Sequence, residues 1–352
     1  MDVVTIAVTG AAGLIGRQLV PALAADPTVT RVVGFDVREP IRRLPGVEFH
    51  LADVLHRELK PLLEGVDVLV HLASVVDPIP DERLMARVNV EGTRRVLDAA
   101  SAVGIRKIVR VSSAAVYGAW ADNPVPLTED APLRPNGAFS PAVQAAEVER
   151  LLAEWRDDHP GVVVTVLRTA PVLGPGAERL PSRLLLGRPR LRVRSATPPV
   201  QAAHVDDLVT AIAHVALADH PGTFNVASDG WIDHDDADAL LPPTRVPPVP
   251  AELLERVLAR TWKTGLGEVP PGVVPYLVHP WVITNEKLKA TGWRPTHSNQ
   301  EALRDGLASY PPKPTREITL AFAAGALAAA ALVYATTRRR ARRRRNPTTR
   351  HG

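Results

Sequence analysis

Short apolar runs alternate with amphipathic stretches over the first half of the chain. The runs VVTIAV, RVVGFD, VDVLVHLA, KIVRVSS and VVVTVLR are rich in β-branched residues, which is typical of strands buried on both faces. Between them, stretches such as RLMARVNVEGTRRVLDAASAV and AAEVERLLAEW have the period of amphipathic helices. Strands and helices in this order predict an α/β fold with a doubly wound parallel sheet, centred on residues 1–168.

Proline and arginine become frequent after Arg168, and the regular alternation of strand and helix ends there. Segments such as LPSRLLLGRPRLRVRSATPPV and LPPTRVPPVPAELL predict loops and short elements, because proline neither continues a helix nor donates to a sheet. We therefore expect a smaller C-terminal, substrate-binding lobe over residues 169–310, with part of the first domain completed by later segments.

A third region, residues 318–337, is apolar, alanine-rich and uncharged, and eight arginines follow within residues 338–352. A helix of this length reaches about 30 Å, which matches the hydrocarbon core of a bilayer. Because no signal-like segment opens the chain, we expect a cytoplasmic body, and a spanning helix would break the positive-inside rule. The sequence predicts a membrane-associating hydrophobic helix and leaves open whether it spans the bilayer or lies on it; one arrangement is a helix at or partly within the cytoplasmic leaflet with the Arg-rich tail on anionic lipid. A soluble alanine-rich helix is the alternative.

Composition narrows the function classes. The chain has 352 residues, of which 45% are hydrophobic, so it can bury a large core. It has no cysteine, which excludes disulfides and thiolate chemistry. The net charge is +4, but the C-terminal arginines carry it, so the body is net acidic and a nucleic-acid-binding body is not expected. No spacing of histidines and carboxylates predicts a metal site.

The segment TGAAGLIG directly follows the first predicted strand and opens a helix. In this position Gly10 makes the tight turn, Gly13 lets the backbone approach a pyrophosphate, and Gly16 allows close helix packing. Asp36 ends the second predicted strand, where a carboxylate can accept hydrogen bonds from the adenosine ribose. It would repel a 2′-phosphate, so NAD is favoured over NADP, although Arg38 weakens that preference. These features predict a Rossmann-type dinucleotide site.

Taken together, these motifs make the chain resemble the extended short-chain dehydrogenase/reductases, in particular the NAD-dependent epimerase/dehydratase family. The resemblance covers about residues 3–308 and also rests on LADV with Asp53, HLAS with Leu72 and Ala73, VNVEGT with Asn89, and VRVSSAAVYG with Ser113. It implies that Asp53 lies at the adenine side and that Leu72 and Ala73 line the cofactor. It also implies hydride transfer on a nucleotide sugar or similar alcohol, and it leaves a homodimer open.

The catalytic motif of such enzymes departs from the family pattern in this chain. The resemblance implies a Ser, a Tyr as general acid/base, and a Lys four residues later that lowers the pKa of the Tyr and holds the nicotinamide ribose. Ser113 takes the serine position, but Pro141 and Ala145 stand where the Tyr and Lys are expected. Tyr117, four residues past Ser113, is the candidate replacement.

Three function classes follow. One is an NAD-dependent enzyme with a replacement base, either Tyr117 or a group of the substrate. Another is a catalytically inactive NAD-binding sensor or scaffold held at a membrane. The third is a relative of the steroid-type 3-beta-hydroxy dehydrogenases, which shares the missing tyrosine. Five arginines of the second lobe could meet a nucleotide-sugar diphosphate or form a solvated basic face: Arg183, Arg188, Arg190, Arg192 and Arg194.

Overall fold

A parallel sheet organises the chain, as the alternation of apolar runs and amphipathic stretches predicts. The computed structural model describes residues 3–187, 190–242 and 247–310. Within these residues the strands are β1 (Val4–Thr9), β2 (Val29–Asp36), β3 (Val47–Leu51), β4 (Val68–His71), β5 (Lys107–Ser113), β6 (Val163–Thr169), β7 (Val172–Leu173), β8 (Ala203–His204) and β9 (Gly222–Val226).

Helices flank this sheet and build the second lobe. They are α1 (Gly16–Ala24), α2 (Lys60–Leu63), α3 (Glu82–Ala86), α4 (Gly92–Val103), α5 (Ser140–Asp158), α6 (Leu180–Leu186), α7 (Val205–Leu217), α8 (His234–Leu240), α9 (Ala251–Lys263), α10 (Val274–Val278), α11 (Glu286–Lys289) and α12 (Asn299–Ser309). A π-helical turn joins α3 to α4, and a 3₁₀ turn follows β5.

The seven strands of the main sheet lie in the order β3-β2-β1-β4-β5-β6-β9 and are all parallel. One face packs on α1 and α7, through residues such as Leu19 and Ile212. The other face packs on α4 and α5, through residues such as Leu97 and Leu152. The doubly wound Rossmann-type sheet is therefore confirmed. Its strand order reverses between β1 and β4, which is where such sheets bind ligands, at the carboxyl ends of the strands.

Segments after Arg168 contribute both to the main sheet with its covering layer and to a separate apolar cluster, which we call the smaller lobe. Helix α7 and strand β9 follow the break at Arg168, yet both belong to the main sheet and its covering layer. A separate apolar cluster joins the start of α5 to α6, α9 and α10, where the rings of Phe139 and Tyr276 lie 5.1 Å apart between centroids. The smaller lobe thus packs against the N-terminal end of α5, directly over the carboxyl edge of the sheet.

The C-terminal helix predicted over residues 318–337 and the Arg-rich tail at 338–352 lie outside the described residues. Among the helices of residues 3–310 that the structure describes, none combines the length and the apolar character needed to cross a bilayer. Membrane association of the C-terminus therefore stays a prediction.

We expect Leu152→Ala to lower the free energy of unfolding by about 2–5 kcal/mol, because it leaves a cavity between α5 and the sheet. The Leu152 side chain is only 1% exposed. Urea denaturation followed by circular dichroism measures the effect, and Glu154→Ala on the exposed face of α5 is the control. Equal stability of the two variants would contradict this packing.

Candidate functional site

A cavity of about 990 Å³ opens along the carboxyl edge of the main sheet and extends into the smaller lobe. Its walls bring together most of the residues that the sequence analysis selected. Eight of the nine predicted site residues line it: Gly10, Gly13, Gly16, Asp36, Asp53, Leu72, Ala73 and Ser113. The ninth, Tyr117, lies elsewhere.

The glycine loop leaves a channel of bare backbone between β1 and α1. Gly10 has a φ of +70°, and a Cβ at this position would lie 2.8 Å from the amide nitrogen of Ala73 in the loop after β4. A Cβ on Gly16 would collide with the carbonyl oxygen of Gly10, and one on Gly13 would lie 3.0 Å from the same atom. The loop is thus a cradle that side chains would fill. Its geometry fits the close approach of a pyrophosphate to the N-terminus of α1.

Asp36 closes one end of this cradle at the tip of β2. The carboxylate is 7% exposed; its Oδ2 accepts a hydrogen bond from the Ala12 amide at 3.1 Å, and its Oδ1 accepts one from the Arg38 amide at 3.0 Å. The guanidinium of Arg38 lies 3.6 Å from Oδ1 and is largely exposed. Two backbone amides therefore fix a carboxylate at the cavity wall, where it can accept ribose hydroxyls and repel a phosphate.

Buried hydroxyls hold the loop that carries Leu72 and Ala73. The amides of these residues donate to Thr9 Oγ1 at 3.1 and 2.9 Å. Thr9 also bonds His71, whose second ring nitrogen bonds Thr93 at 3.0 Å. Burial, together with the charge of Arg110, keeps the pKa of His71 well below its ordinary value. His71 is thus a neutral core residue that supports the cavity.

Ser113 lies at the end of β5 and lines the cavity. Its Oγ accepts a hydrogen bond from the Ala115 amide at 3.2 Å. Pro141 and Ala145 lie on the cavity wall of α5, with Pro141 in the first turn of the helix. Neither side chain can transfer a proton. The two departures from the family motif therefore line the same cavity as Ser113.

Asn89 has a structural role, because its side chain links the π-helical turn to the loop after β4 and to α5. Its side chain exchanges two hydrogen bonds with the backbone of Val75, at 2.7 and 3.1 Å. Its Nδ2 also donates to Gln144 Oε1 at 2.9 Å, which connects the turn to α5. Gln144 lines the cavity, so this link also holds the wall beside Ala145.

The candidate role of Tyr117 as a replacement base is not supported by its position. The side chain is 1% exposed and packs in a cluster behind the cavity. Its hydroxyl donates to Asn225 Oδ1 at 2.8 Å and accepts from Arg168 Nη1 at 2.8 Å. Burial raises the pKa of this phenol to about 12. The 3₁₀ turn after β5 directs the phenol towards β6 and β9 and away from the cavity, so a catalytic role for Tyr117 stays a prediction without structural support.

Sequence reasoning missed a buried charge cluster beneath the cavity. Glu149 on α5 binds Arg168 on β6 with an oxygen to nitrogen distance of 2.7 Å, and its other oxygen accepts from Ser112. Arg110 on β5 lies on the same side of the sheet and reaches the cavity wall. The signal was present in the sequence, because charged residues interrupt the strand runs KIVRV and VTVLR.

A family model described as the NAD dependent epimerase/dehydratase family matches residues 6–227, which is more than half of the chain. The chain belongs to this family. The resemblance inferred from the motifs is thereby confirmed. Membership assigns the fold and the cofactor-binding motif, but it does not establish which reaction this member carries out.

This member of the epimerase/dehydratase family is similar in sequence to both characterised and uncharacterised proteins. It is 30% identical to a 3-diazoavenalumate denitrifying reductase from a Streptomyces species, over 85% of this chain and 98% of that protein. It is 37% identical to a UDP-glucose 4-epimerase from Mycolicibacterium smegmatis, over 40% of this chain and 48% of the epimerase. An uncharacterised protein of Mycobacterium tuberculosis is 29% identical over 63% of this chain. That alignment spans 62% of the relative's own length.

Solved structures of the family share its fold. The UDP-glucose 4-epimerase of Thermus thermophilus in complex with NAD superposes with a TM-score of 0.67, at 23% identity. The alignment covers 88% of this chain and 100% of that structure. MoeE5 in complex with UDP-glucuronic acid and NAD has a TM-score of 0.68 at 22% identity. At this identity the likeness shows the fold alone.

Carboxylates already pair several arginines of the second lobe. Asp238 binds Arg190 and Arg192 through separate oxygens, each at 2.8 Å. Arg183 lies 3.7 Å from Asp77 and 3.6 Å from Glu268. Arg188 is outside the described residues. A diphosphate would have to compete with these acids.

Two histidines stack beside the HVDD motif at residues 204–207. The rings of His204 and His297 lie 3.7 Å apart between centroids and nearly parallel, with Asp206 close by. Parallel rings direct their nitrogen lone pairs in separate planes, so the two imidazoles do not converge on one ion. His204 Nδ1 instead accepts the Asp206 amide at 3.2 Å and caps α7. The motif thus shapes the helix start.

We expect Tyr117→Phe to leave ligand binding unchanged and to lower the free energy of unfolding by about 1–3 kcal/mol, because Asn225 and Arg168 lose a buried partner. Thermal denaturation and cofactor titration on the same samples separate the two effects. Tyr310→Phe, at a partly buried position, is the control. Loss of ligand binding without loss of stability would restore Tyr117 to the site.

Proposed function

We propose that this protein binds NAD along the carboxyl edge of its sheet and does not oxidise alcohols by the usual proton-coupled route. In this proposal the glycine cradle and Asp36 bind the adenosine half of NAD. The second nucleotide half then lies over β4 and β5, because a dinucleotide crosses the sheet where the strand order reverses. The observation that carries the proposal is the bare-backbone channel at Gly10 and Gly16, closed at one end by a fixed carboxylate.

The residues of the cradle have defined tasks in this proposal. The amides at the N-terminus of α1 bind the pyrophosphate oxygens, where the helix dipole favours negative charge. Asp36 accepts the hydroxyls of the adenosine ribose, which favours NAD over NADP. Asp53 lines the same cavity, where its Oδ1 accepts the Leu55 amide at 2.9 Å. The proposal assigns it to the adenine side of NAD. Leu72 and Ala73 exclude water along the cofactor.

The side chains that α5 contributes to the cavity limit proton transfer to or from a substrate. Bound NAD supplies a hydride acceptor, and NADH supplies a hydride. Oxidation of an alcohol also needs a base for the hydroxyl proton, which typically contributes 10²–10⁴-fold to the rate. Ser113 can orient an oxygen, but Pro141 and Ala145 offer no base. Tyr276 also lines the cavity, yet its hydroxyl donates to the Ala115 carbonyl at 2.9 Å, and burial raises the pKa of this phenol.

A second candidate function is a hydride transfer that needs no proton from the protein. It is favoured by the likeness to a denitrifying reductase over 98% of that relative's length. In such a step, bound NADH would supply hydride to an electrophilic carbon, a C–H bond would form, and a neutral leaving group would depart with the electrons of the bond that breaks. The step would need no acid or base from the protein. Pro141 and Ala145 on α5 cannot donate or accept a proton, and such a step needs neither from them.

The substrate class is narrowed by the wall of the smaller lobe. Leu184, Leu191 and Trp281 contribute apolar surface to the cavity, while Asp238 pairs with both Arg190 and Arg192 and would compete with a diphosphate for them. This favours a substrate with substantial apolar surface, as in the steroid-type alternative, over one bound mainly through a diphosphate. A sensor or scaffold role at a membrane depends on residues 318–352 and stays a hypothesis. Extraction of membranes with salt would release a peripheral basic tail but retain an inserted helix.

The purified protein should bind NAD, and calorimetric titration measures the affinity. We expect Asp36→Ala to weaken NAD binding about tenfold, because the ribose loses hydrogen bonds to a charged acceptor. NADP should bind wild type about tenfold or more weakly than NAD. Asp157→Ala, at an exposed position on α5, is the control. A folded protein that ignores NAD at millimolar concentration would refute the proposal.

Restoring the absent side chains tests the lack of alcohol oxidation. We expect Pro141→Tyr/Ala145→Lys to gain NAD-dependent oxidation of an alcohol or nucleotide sugar by about 10²-fold or more over wild type, because a general base then faces Ser113. Absorbance of NADH at substrate saturation measures the rate, and Ala145→Lys alone is the control. Robust turnover by wild type would contradict the proposal. NADH consumption with an arenediazonium salt tests the second candidate separately.

A further inference from the structure

Arg110 is an unusual residue for its place in the fold. It lies in the apolar run of β5, next to the central strand β4, and its side chain is 5% exposed. A guanidinium in such a position needs acceptors for its five donor hydrogens.

Backbone carbonyls of β4 satisfy only part of the guanidinium. Nη1 donates to the His71 carbonyl at 3.1 Å and makes a longer contact of 3.5 Å with the Ala73 carbonyl. Nε is fully buried and has no acceptor. The contacts also show the direction of the side chain: it starts level with His71 and runs along β4 to the loop at the carboxyl edge of the sheet. Arg110 is one of the residues that line the cavity there.

No carboxylate among the described residues forms an ion pair with Arg110. The nearest acid in the cluster, Glu149, is already committed to Arg168 at 2.7 Å and to the hydroxyl of Ser112. The cluster therefore holds two guanidinium groups and one carboxylate. Burial lowers the pKa of Arg110 to about 10, which leaves it charged at neutral pH, and Glu149 opposes this shift. Arg110 thus lines the cavity with a positive charge that no carboxylate among the described residues pairs.

We propose that Arg110 binds the hydroxyl oxygens of the ribose in the second nucleotide half of NAD. This proposal rests on NAD binding in the cleft. The Ala73 loop that Arg110 reaches is the same one that faces Gly10, so the guanidinium lies one strand beyond the pyrophosphate cradle. The next group of a dinucleotide past the pyrophosphate is that ribose. Its adjacent hydroxyls offer oxygen acceptors to a donor-only group.

The opposite wall strengthens the assignment. Ala145 and Pro141 on α5 line the same cavity and supply no cation or donor. The binding cation at this half of the cleft therefore comes from a strand, anchored by the sheet backbone, instead of from the helix. An anchored guanidinium can orient the ribose, but as a permanent cation it cannot take a proton from a substrate.

Three ligands that end at successive points test the proposal on the full chain. ADP ends at the pyrophosphate, ADP-ribose adds the ribose, and NAD adds the nicotinamide. Calorimetric titration should show that wild type gains affinity from ADP to ADP-ribose. In Arg110→Met we expect the dissociation constants for ADP-ribose and NAD to rise about tenfold, because hydrogen bonds from a charged donor are lost. The constant for ADP should stay within about twofold of the wild-type value.

Controls separate binding from a structural role. Arg168→Met removes the other guanidinium of the cluster, which does not line the cavity, and should leave the gain from ADP to ADP-ribose intact. Arg110→Lys keeps a cation and should retain part of the gain in affinity from ADP to ADP-ribose. If Arg110→Met does not fold, the same titrations on Arg110→Lys test the proposal. An unchanged gain in both Arg110 variants, or an equal weakening of ADP, would overturn the assignment. Wild type that binds none of the three ligands would instead refute NAD binding itself.

Discussion

The close approach of two backbones at the centre of the sheet governs this structure. Gly10 turns at positive φ against the Ala73 amide, and Gly16 packs on the Gly10 carbonyl, so no side chain fits between β1, β4 and α1. This leaves the N-terminus of α1 open to a ligand at the point where the strand order reverses. The cavity, the carboxylate of Asp36 and the second lobe are all arranged around that opening.

The same scaffold separates binding from proton transfer. The cradle retains the features that hold a dinucleotide, whereas the facing wall of α5 presents proline and alanine. Charged side chains are nevertheless present near this wall. Arg110, Glu149 and Arg168 form a buried cluster just beneath the cavity. That cluster is buried and paired or permanently cationic, so it can position a ligand but cannot act as a general base.

Sequence alone predicted the parts of the site that depend on backbone geometry. Gly10 and Gly16 occupy positions fixed by the turn between β1 and α1, Asp36 ends β2, and periodicity locates those elements. Tyr117 could not be placed in this way, because spacing from Ser113 does not reveal that a 3₁₀ turn directs its ring away from the cavity. Arg110 was missed for a related reason: a charged residue inside an apolar run does not disclose which face it occupies or what it contacts.

Hydrogen–deuterium exchange of the full chain with and without saturating NAD tests the central claim most directly, since it reports on the cradle amides themselves. The account predicts slower exchange in peptides that cover residues 10–16 and 72–76, with little change in peptides from the far end of the sheet strands. Unchanged exchange in both segments, or protection confined to the smaller lobe, would contradict it.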